Sequence, residues 1–260
     1  MKKRLDVLIE AVRAGGKAAR SVVPNSGIIS KEGRANFVTA GDLASEKAVL
    51  EIIKRNFPMD VVLSEEIESS FSKEELLNLE RLWVVDPIDG TNNFRSRRYY
   101  SCVSLGYIEK GIIKAGAVYD FYHDELFYAE KGKGAYLNSQ LISVGEQKDL
   151  TEATVATDNS YIPQETRGNL ELLLKIDPMP FVLMKGSAAL MLCEIASGRT
   201  DLFFHTVLKP WDNAAGFLIV EEAGGVIRGL QGEEINFFSP TVVAGNKQLV
   251  QLFIERIKDL

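Results

Sequence analysis

The stretch with the most chemistry in it is RLWVVDPIDGTNNF, from Arg81 to Phe94. Leu82, Trp83, Val84 and Val85 are an apolar run of the aromatic and β-branched kind that builds buried strands. Asp86 and Asp89 follow, two carboxylates three residues apart, where that strand is expected to end in a rigid turn. Two more acidic spots share this context: Glu65 and Glu66 follow the apolar VVLS, and Asp212 follows LKPW. A carboxylate at the end of a buried strand costs free energy unless it is paired or bound to a cation. Few basic residues lie next to these acids in sequence, so the clusters imply divalent cations. Oxygen-only ligands suit a hard ion such as Mg²⁺ or Mn²⁺, and the lack of a His/Cys set argues against zinc.

The turn suits such a site. Pro87 fixes its own φ and biases Asp86 toward an extended conformation, so that Asp89 reaches back toward Asp86. The Ile88 carbonyl, freed from strand pairing, can serve as another oxygen ligand. Gly90, Thr91 and Asn92 can open a helical turn whose N–H groups bind an anion. Cations beside an anion-binding turn are the equipment of phosphate-ester chemistry. Asp-Pro-x-Asp-Gly is also an ordinary solvated turn composition. The apolar strand before it favours the functional reading, because simple surface turns seldom follow a buried strand.

The elements that must position these acids are legible in outline. The first helix is expected over Lys2 to Val22, ending before Pro24, and PNSGIISKEGRANF reads as a mobile loop. TAGDLASEKAVLEIIKRNFP reads as a second helix stopped at Pro58, and VVL as a short strand. A meander of strands follows, with EKG and EKGKG as hairpin turns. Beyond Thr151 strands alternate with helices: ATVAT, FVLM, a helix from Ser187 to Ala196, DLFF, and a helix from Trp211 stopped by Gly224 and Gly225. A last helix spans KQLVQLFIERIKDL. Residues 1–150 thus read as an α+β half carrying most of the metal ligands, and 151–260 as an α/β half carrying the last metal aspartate. The two are expected to pack as one body.

Composition sets the outer limits. The net charge of -6 argues against a general nucleic-acid or membrane-surface binder but not against a phosphorylated substrate, whose charge bound cations can balance. Cys102 and Cys193 lie in apolar surroundings and read as buried thiols in a reducing compartment. The N-terminal segment is an amphipathic helix, not a signal peptide, and no apolar run nears the ~18 residues of a membrane span. A cytoplasmic protein is expected.

WVVDPIDGTNNF together with WDNAAGFLIVEEAGG resembles the paired signature of the inositol monophosphatase family. This is the Mg²⁺-dependent, lithium-sensitive phosphatase superfamily that also holds fructose-1,6-bisphosphatases and 3'(2'),5'-bisphosphate nucleotidases. FVTAGD, LSEE, ELFYAEKGKGAYLN, GSAAL and KPWDNAAG follow in family order. The resemblance implies a layered α-β-α-β-α sandwich, usually a homodimer, that hydrolyses a small polyol or sugar phosphate by in-line attack of a metal-activated water. It implies two or three Mg²⁺ ions, with Mn²⁺ as an alternative. Glu65, Asp86 and the Ile88 carbonyl would hold the first, Asp86, Asp89 and Asp212 the second, and Glu65 would lie near a weaker third. Glu66 would hold a water at the metals, and Thr91 with Asp42 would orient the attacking water. Gly90 and Thr91 N–H groups would cap the phosphate; Gly186, Ser187 and Ala188 would touch the substrate's alcohol portion.

Several of these residues carry a plainer reading too. Thr39-x-x-Asp42 is the form of a helix capping box, Ser187 is a natural helix cap, and Lys31, placed where the family carries a lysine near the metals, could be a solvated loop charge. The main departure is His205, seven residues before Asp212, where inositol-specific members carry a glutamate that accepts from ring hydroxyls. An imidazole offers one donor and one acceptor there, or is simply an ordinary part-buried side chain. Fructose-1,6-bisphosphatase, nucleotidase and histidinol phosphatase activities stay open. So does a different class, a partner-binding protein of the transcription machinery.

Overall fold

The computed structural model describes residues 3–31, 36–67 and 69–258. The helices are α1 (Arg4–Arg20), α2 (Ala40–Asn56), α3 (Lys73–Asn78), α4 (Thr91–Arg95), α5 (Pro163–Leu173), α6 (Ala188–Ala196), α7 (Pro210–Glu222) and α8 (Lys247–Lys258). The first strands are β1 (Ile29–Ser30), β2 (Phe37–Val38), β3 (Val61–Ser64) and β4 (Leu82–Asp89). The meander is β5 (Cys102–Glu109), β6 (Ile112–Asp120), β7 (Glu125–Glu130), β8 (Ala135–Leu137) and β9 (Gln140–Ile142). The remainder are β10 (Thr154–Thr157), β11 (Phe181–Met184), β12 (Leu202–His205), β13 (Val226–Arg228) and β14 (Val242–Gly245).

Two sheets organise the chain. Strands β3 to β9 form a seven-stranded sheet in sequence order, and β11-β10-β12-β14-β13 form a five-stranded mixed sheet. Side-chain alternation assigns the layers. Trp83, Val85, Val103 and Leu105 face a core shared with α1 and α2. Val118, Phe127, Phe203 and Ala244 face α6 and α7, which therefore lie between the sheets. Val155, Phe204 and Val243 turn the other way, toward α5 and α8. The result is the α-β-α-β-α order that the resemblance implied.

Close packing fixes α7 on the larger sheet. A Cβ on Gly106 would stand 2.7 Å from the Ala214 Cβ, and one on Gly116 would stand 2.9 Å from the Ala215 Cα. Only glycine lets the helix backbone come this near the strands. Thus a helix from the C-terminal half sits directly on strands of the N-terminal half.

Local signals explain most boundaries. The Thr39 side chain accepts from Gly41 and Asp42 N–H while Asp42 accepts from Thr39, the capping box read from sequence. Ser187 caps α6, Pro210 opens α7, and Gly224 follows it at φ 83°. The first helix runs Arg4–Arg20, inside the expected Lys2 to Val22; Lys2 lies outside the described residues. The expected loop before α2 contains a short antiparallel pair, Ile29 with Val38 and Ser30 with Phe37; 32–35 lie outside the described residues. Cys102 and Cys193 are free and buried. Among the described residues no helix is long and apolar enough to cross a membrane.

Candidate metal centre

The strand carrying the acids departs from the turn expected after Val85. Strand β4 runs on to Asp89, buried along its whole length, with a bulge inside DPID. Residues three apart in a regular strand point to opposite faces. Here Asp86 opposes Ser104 and Asp89 opposes Cys102, so the partner strand advances two residues while β4 advances three. The extra residue reverses the alternation and brings both carboxylates onto one face, the face that meets α6 and α7. The Ser45 hydroxyl donates to the Pro87 carbonyl at 2.7 Å and ties the bulge to α2.

Asp212, in the first turn of α7, completes the group: ligand oxygens of Asp86, Asp89 and Asp212 all lie within 4.8 Å of one another. Asp89 Oδ2 accepts from Ser187 Oγ at 2.6 Å and Ala189 N–H at 2.7 Å, so the start of α6 anchors it. Asp212 Oδ2 accepts from Lys209 N–H at 2.7 Å. In each of these two acids the Oδ2 oxygen is held by protein donors. Asp86 Oδ1 is fully buried and has no hydrogen-bond partner.

Burial and mutual repulsion make this group expensive as anions. Burial raises Asp86 well above the usual range, and Glu65, Asp89, Asp212 and Asp42 push it further. Burial, then Asp89, raises Asp212 well above it. Asp89 is raised to about 6, burial outweighing the Ser187 and Ala189 donors. An orphaned carboxylate oxygen among three closely set acids could meet a hard divalent cation, for which oxygen-only donors are the right set.

Two further sequence candidates adjoin it. Thr91 Oγ1 lies 3.0 Å from Asp42 Oδ1 and 3.0 Å from the Ile88 carbonyl oxygen. One hydroxyl proton serves two acceptors, so donation to one leaves the other for an outside group. Asp42, 1 % exposed, keeps its capping bonds to Thr39 through Oδ2 while Oδ1 accepts from Thr91. Burial lifts Asp42 to about 6. Glu65 and Glu66 share one cation: Lys31 Nζ lies 3.0 Å from Glu65 Oε1 and 2.8 Å from Glu66 Oε1. Burial raises Glu65 while Lys31 opposes it, and Asp42 and Asp89 add to the rise, which places Glu65 beside the acid group.

The substrate-side candidates divide. Gly90 caps α4 at φ 89°, and a Cβ there would stand 2.9 Å from the Gly186 carbonyl oxygen, so these two glycines meet. Ser187 and the Ala188–Ala189 backbone converge on Asp89. His205 ends β12, is 3 % exposed, and its Nδ1 accepts from Val207 N–H at 3.0 Å. That bond leaves the ring proton on Nε2, and burial lowers His205 to about 4, so the imidazole is neutral.

Sequence reasoning passed over three neighbours. Asn93 is buried and donates to the Tyr100, Lys185 and Gly186 carbonyls. Asp158, 8 % exposed at the end of β10, is raised to about 6 by burial. Tyr161 is raised by desolvation and by Glu65, Asp212, Asp86 and Asp89, although 41 % of its surface is exposed. Asn93 stood inside the quoted motif; Asp158 and Tyr161 gave no local signal, since the fold alone brings their loop to the acids.

Comparison with known proteins gives a consistent answer. The sequence model of the inositol monophosphatase family matches residues 1–260. The chain is 37 % identical over 267 residues to inositol monophosphatase 2 of Solanum lycopersicum, covering 100 % of this chain and 99 % of that one. It is 33 % identical over 261 residues to the Nus factor SuhB of Salmonella typhimurium, covering 97 % and 96 % of the two. The solved structure of inositol monophosphatase from Anabaena superposes with a TM-score of 0.87 at 31 % identity, covering 98 % of this chain and 95 % of the other.

Proposed function

The chain belongs to the inositol monophosphatase family and is a phosphatase; from that premise we propose that it hydrolyses a small polyol or sugar phosphate monoester of the inositol-1-phosphate kind, with Mg²⁺ as cofactor. Glu65, Asp86, the Ile88 carbonyl, Asp89 and Asp212 would hold the ions, and Glu66 would hold a water beside them. Bound Mg²⁺ supplies charge neutralisation for the phosphate and leaving oxygen, and makes water nucleophilic at neutral pH. The protein's own part is placement. Asp42 accepts from the Thr91 hydroxyl, whose oxygen lone pairs then orient the attacking water. Gly90 and Thr91 N–H groups cap the phosphate, and the Gly186–Ala188 segment lines the alcohol portion.

The observation that carries this reading is the trio of buried Asp86 and Asp89 with half-buried Asp212, one oxygen of Asp86 being unpartnered. Two observations bear on substrate. Of the two lysines that could meet a second phosphate, Lys185 and Lys209, the first is committed, its Nζ 2.8 Å from both Glu194 oxygens, which favours a monophosphate over a bisphosphate. His205 is buried and neutral, its ring bonded to the backbone of Val207 and Asn159, so it does not stand in for the acceptor that the resemblance places there. Magnesium-dependent phosphate release, assayed across a panel of phosphate esters, tests the proposal. Asp89→Asn should abolish release while the protein stays folded; unchanged turnover in that variant defeats the mechanism. Likeness to a protein named Nus factor SuhB supports a second, partner-binding role. Recovery of RNA polymerase with the chain from native lysate, equally with Asp89→Asn, would establish it.

A further inference from the structure

We infer that Asn93 is a positioning residue for the Asp89 carboxylate, acting through the loop Lys185–Gly186–Ser187. The inference rests on the reading of Asp89 as a metal ligand.

The carboxamide is 2 % exposed and sits where three backbone carbonyls converge. Its Nδ2 donates to Lys185 at 2.6 Å, Tyr100 at 2.9 Å and Gly186 at 3.1 Å. Two amide protons serve three acceptors from two segments distant in sequence, and Arg98 Nη1, 3.5 Å from Oδ1, fixes which end is which. Gly90 explains why those carbonyls are there. A Cβ on Gly90 would stand 2.9 Å from the Gly186 oxygen and 3.0 Å from the Tyr100 oxygen. Two of the carbonyls that Asn93 binds thus flank the bare α-carbon of the phosphate-side glycine.

Gly186 is interlocked with the same amide. Its φ is +80°, and a Cβ there would meet Asn93 Nδ2 at 2.9 Å. Gly186 N–H in turn bonds the buried Asp158 carboxylate. The next residue, Ser187, donates to Asp89 Oδ2 at 2.6 Å, and Ala189 N–H adds a second donor at 2.7 Å. So Asp89 Oδ2 is held by a loop whose position Asn93 sets. Groups that orient a ligand from behind tune metal affinity without touching the ion.

Binding of Mn²⁺ to the full chain, followed by electron paramagnetic resonance of the free ion, tests this, with unfolding in EDTA run beside it. Asn93→Ala and Gly186→Ala should each weaken the Asp89-dependent site by roughly 10- to 100-fold. Asn93→Ala should add little to Ser187→Ala in the double variant, because the two act along one path. If Asn93→Ala lowers stability but leaves Mn²⁺ affinity as in the wild type, Asn93 is an ordinary buried amide and the inference is overturned. Should Asn93→Ala not fold, Gly186→Ala probes the same contact from its other side, and wild-type Mn²⁺ affinity in that variant overturns the inference equally. Equal Mn²⁺ binding by wild type and Asp89→Asn is a separate result, and overturns the reading of Asp89 as a ligand.

Discussion

Gly106 on β5 lies directly beneath Ala214 on α7, so close that a single added methyl would stand 2.7 Å from the alanine Cβ. Asp212 is two residues from Ala214 on the same helix, and its ligand oxygen lies within 4.8 Å of those of Asp86 and Asp89, so the depth of the helix on the sheet bears on its reach. Gly106→Ala should therefore cost about 1–3 kcal/mol of stability by overpacking. It should also raise the Mg²⁺ concentration needed for half-maximal phosphate release. Urea unfolding and a Mg²⁺ titration check the two effects. A stability loss with an unmoved Mg²⁺ midpoint would mean that Asp212 is placed by something other than this contact.

Asp42 and Thr91 predict a different pattern. Asp42→Asn keeps one oxygen but removes the charge that the Thr91 hydroxyl faces at 3.0 Å. The turnover rate should fall by roughly 10²- to 10⁴-fold, with KM and the Mn²⁺ isotherm near wild type. Weakening of the Thr39 capping box should cost about 1 kcal/mol. A Mn²⁺ isotherm displaced as far as the rate would show Asp42 to be a ligand instead.

Acidity gives a third test. Asp42, Asp89 and Asp158 are raised from 3.8 to about 6 by burial, and burial also raises Asp86, Asp212 and Glu65. A carboxyl raised on folding holds its proton more tightly folded than unfolded, so stability is lost as pH rises through the folded value. His205, lowered from 6.5 to about 4, acts in the opposite sense but as a single group. In EDTA the melting temperature should thus fall between pH 4 and 7, by roughly 5 °C or more. Mg²⁺ should restore it most at the upper end, because the cation replaces the protons. A melting temperature in EDTA that climbs steadily over this range would contradict the assignment of these acids.

Lys31 stands between Glu65 and Glu66, 3.0 Å and 2.8 Å from their oxygens. Any cation that takes Glu65 competes with this ammonium. Lys31→Met should shift the Mg²⁺ midpoint to lower concentration while making the metal-free protein less stable at neutral pH. Calorimetric Mg²⁺ titration reads the first effect. An unmoved or higher midpoint would show that Lys31 and the cation do not share Glu65.

Much of this was legible in the residues because the signals were local. The Thr39–Asp42 box, the Ser187 cap and the apolar strand ahead of Asp86 each announce themselves within a few positions. The bulge did not: Asp-Pro-x-Asp-Gly has turn composition, and only pairing with Ser104 and Cys102 shows that the strand continues through it. The 98-residue separation of Asp89 from Ser187 and the 92-residue separation of Asn93 from Lys185 were equally hidden, since no pattern in one segment encodes its distant partner. The inward side of His205 was hidden for the same reason, as it depends on a bond to Val207 formed only at the strand end.

The irregularity in β4 ties this chemistry to a count of residues. Straighten the strand without shortening it and regular alternation returns, turning one carboxylate into the oily layer that Trp83 and Val85 share with α1 and α2. Elsewhere a straightened bulge merely extends a strand; here it would swing an acid through the thickness of the sheet. The three-residue spacing of the two acids and the extra residue in the strand therefore stand or fall together.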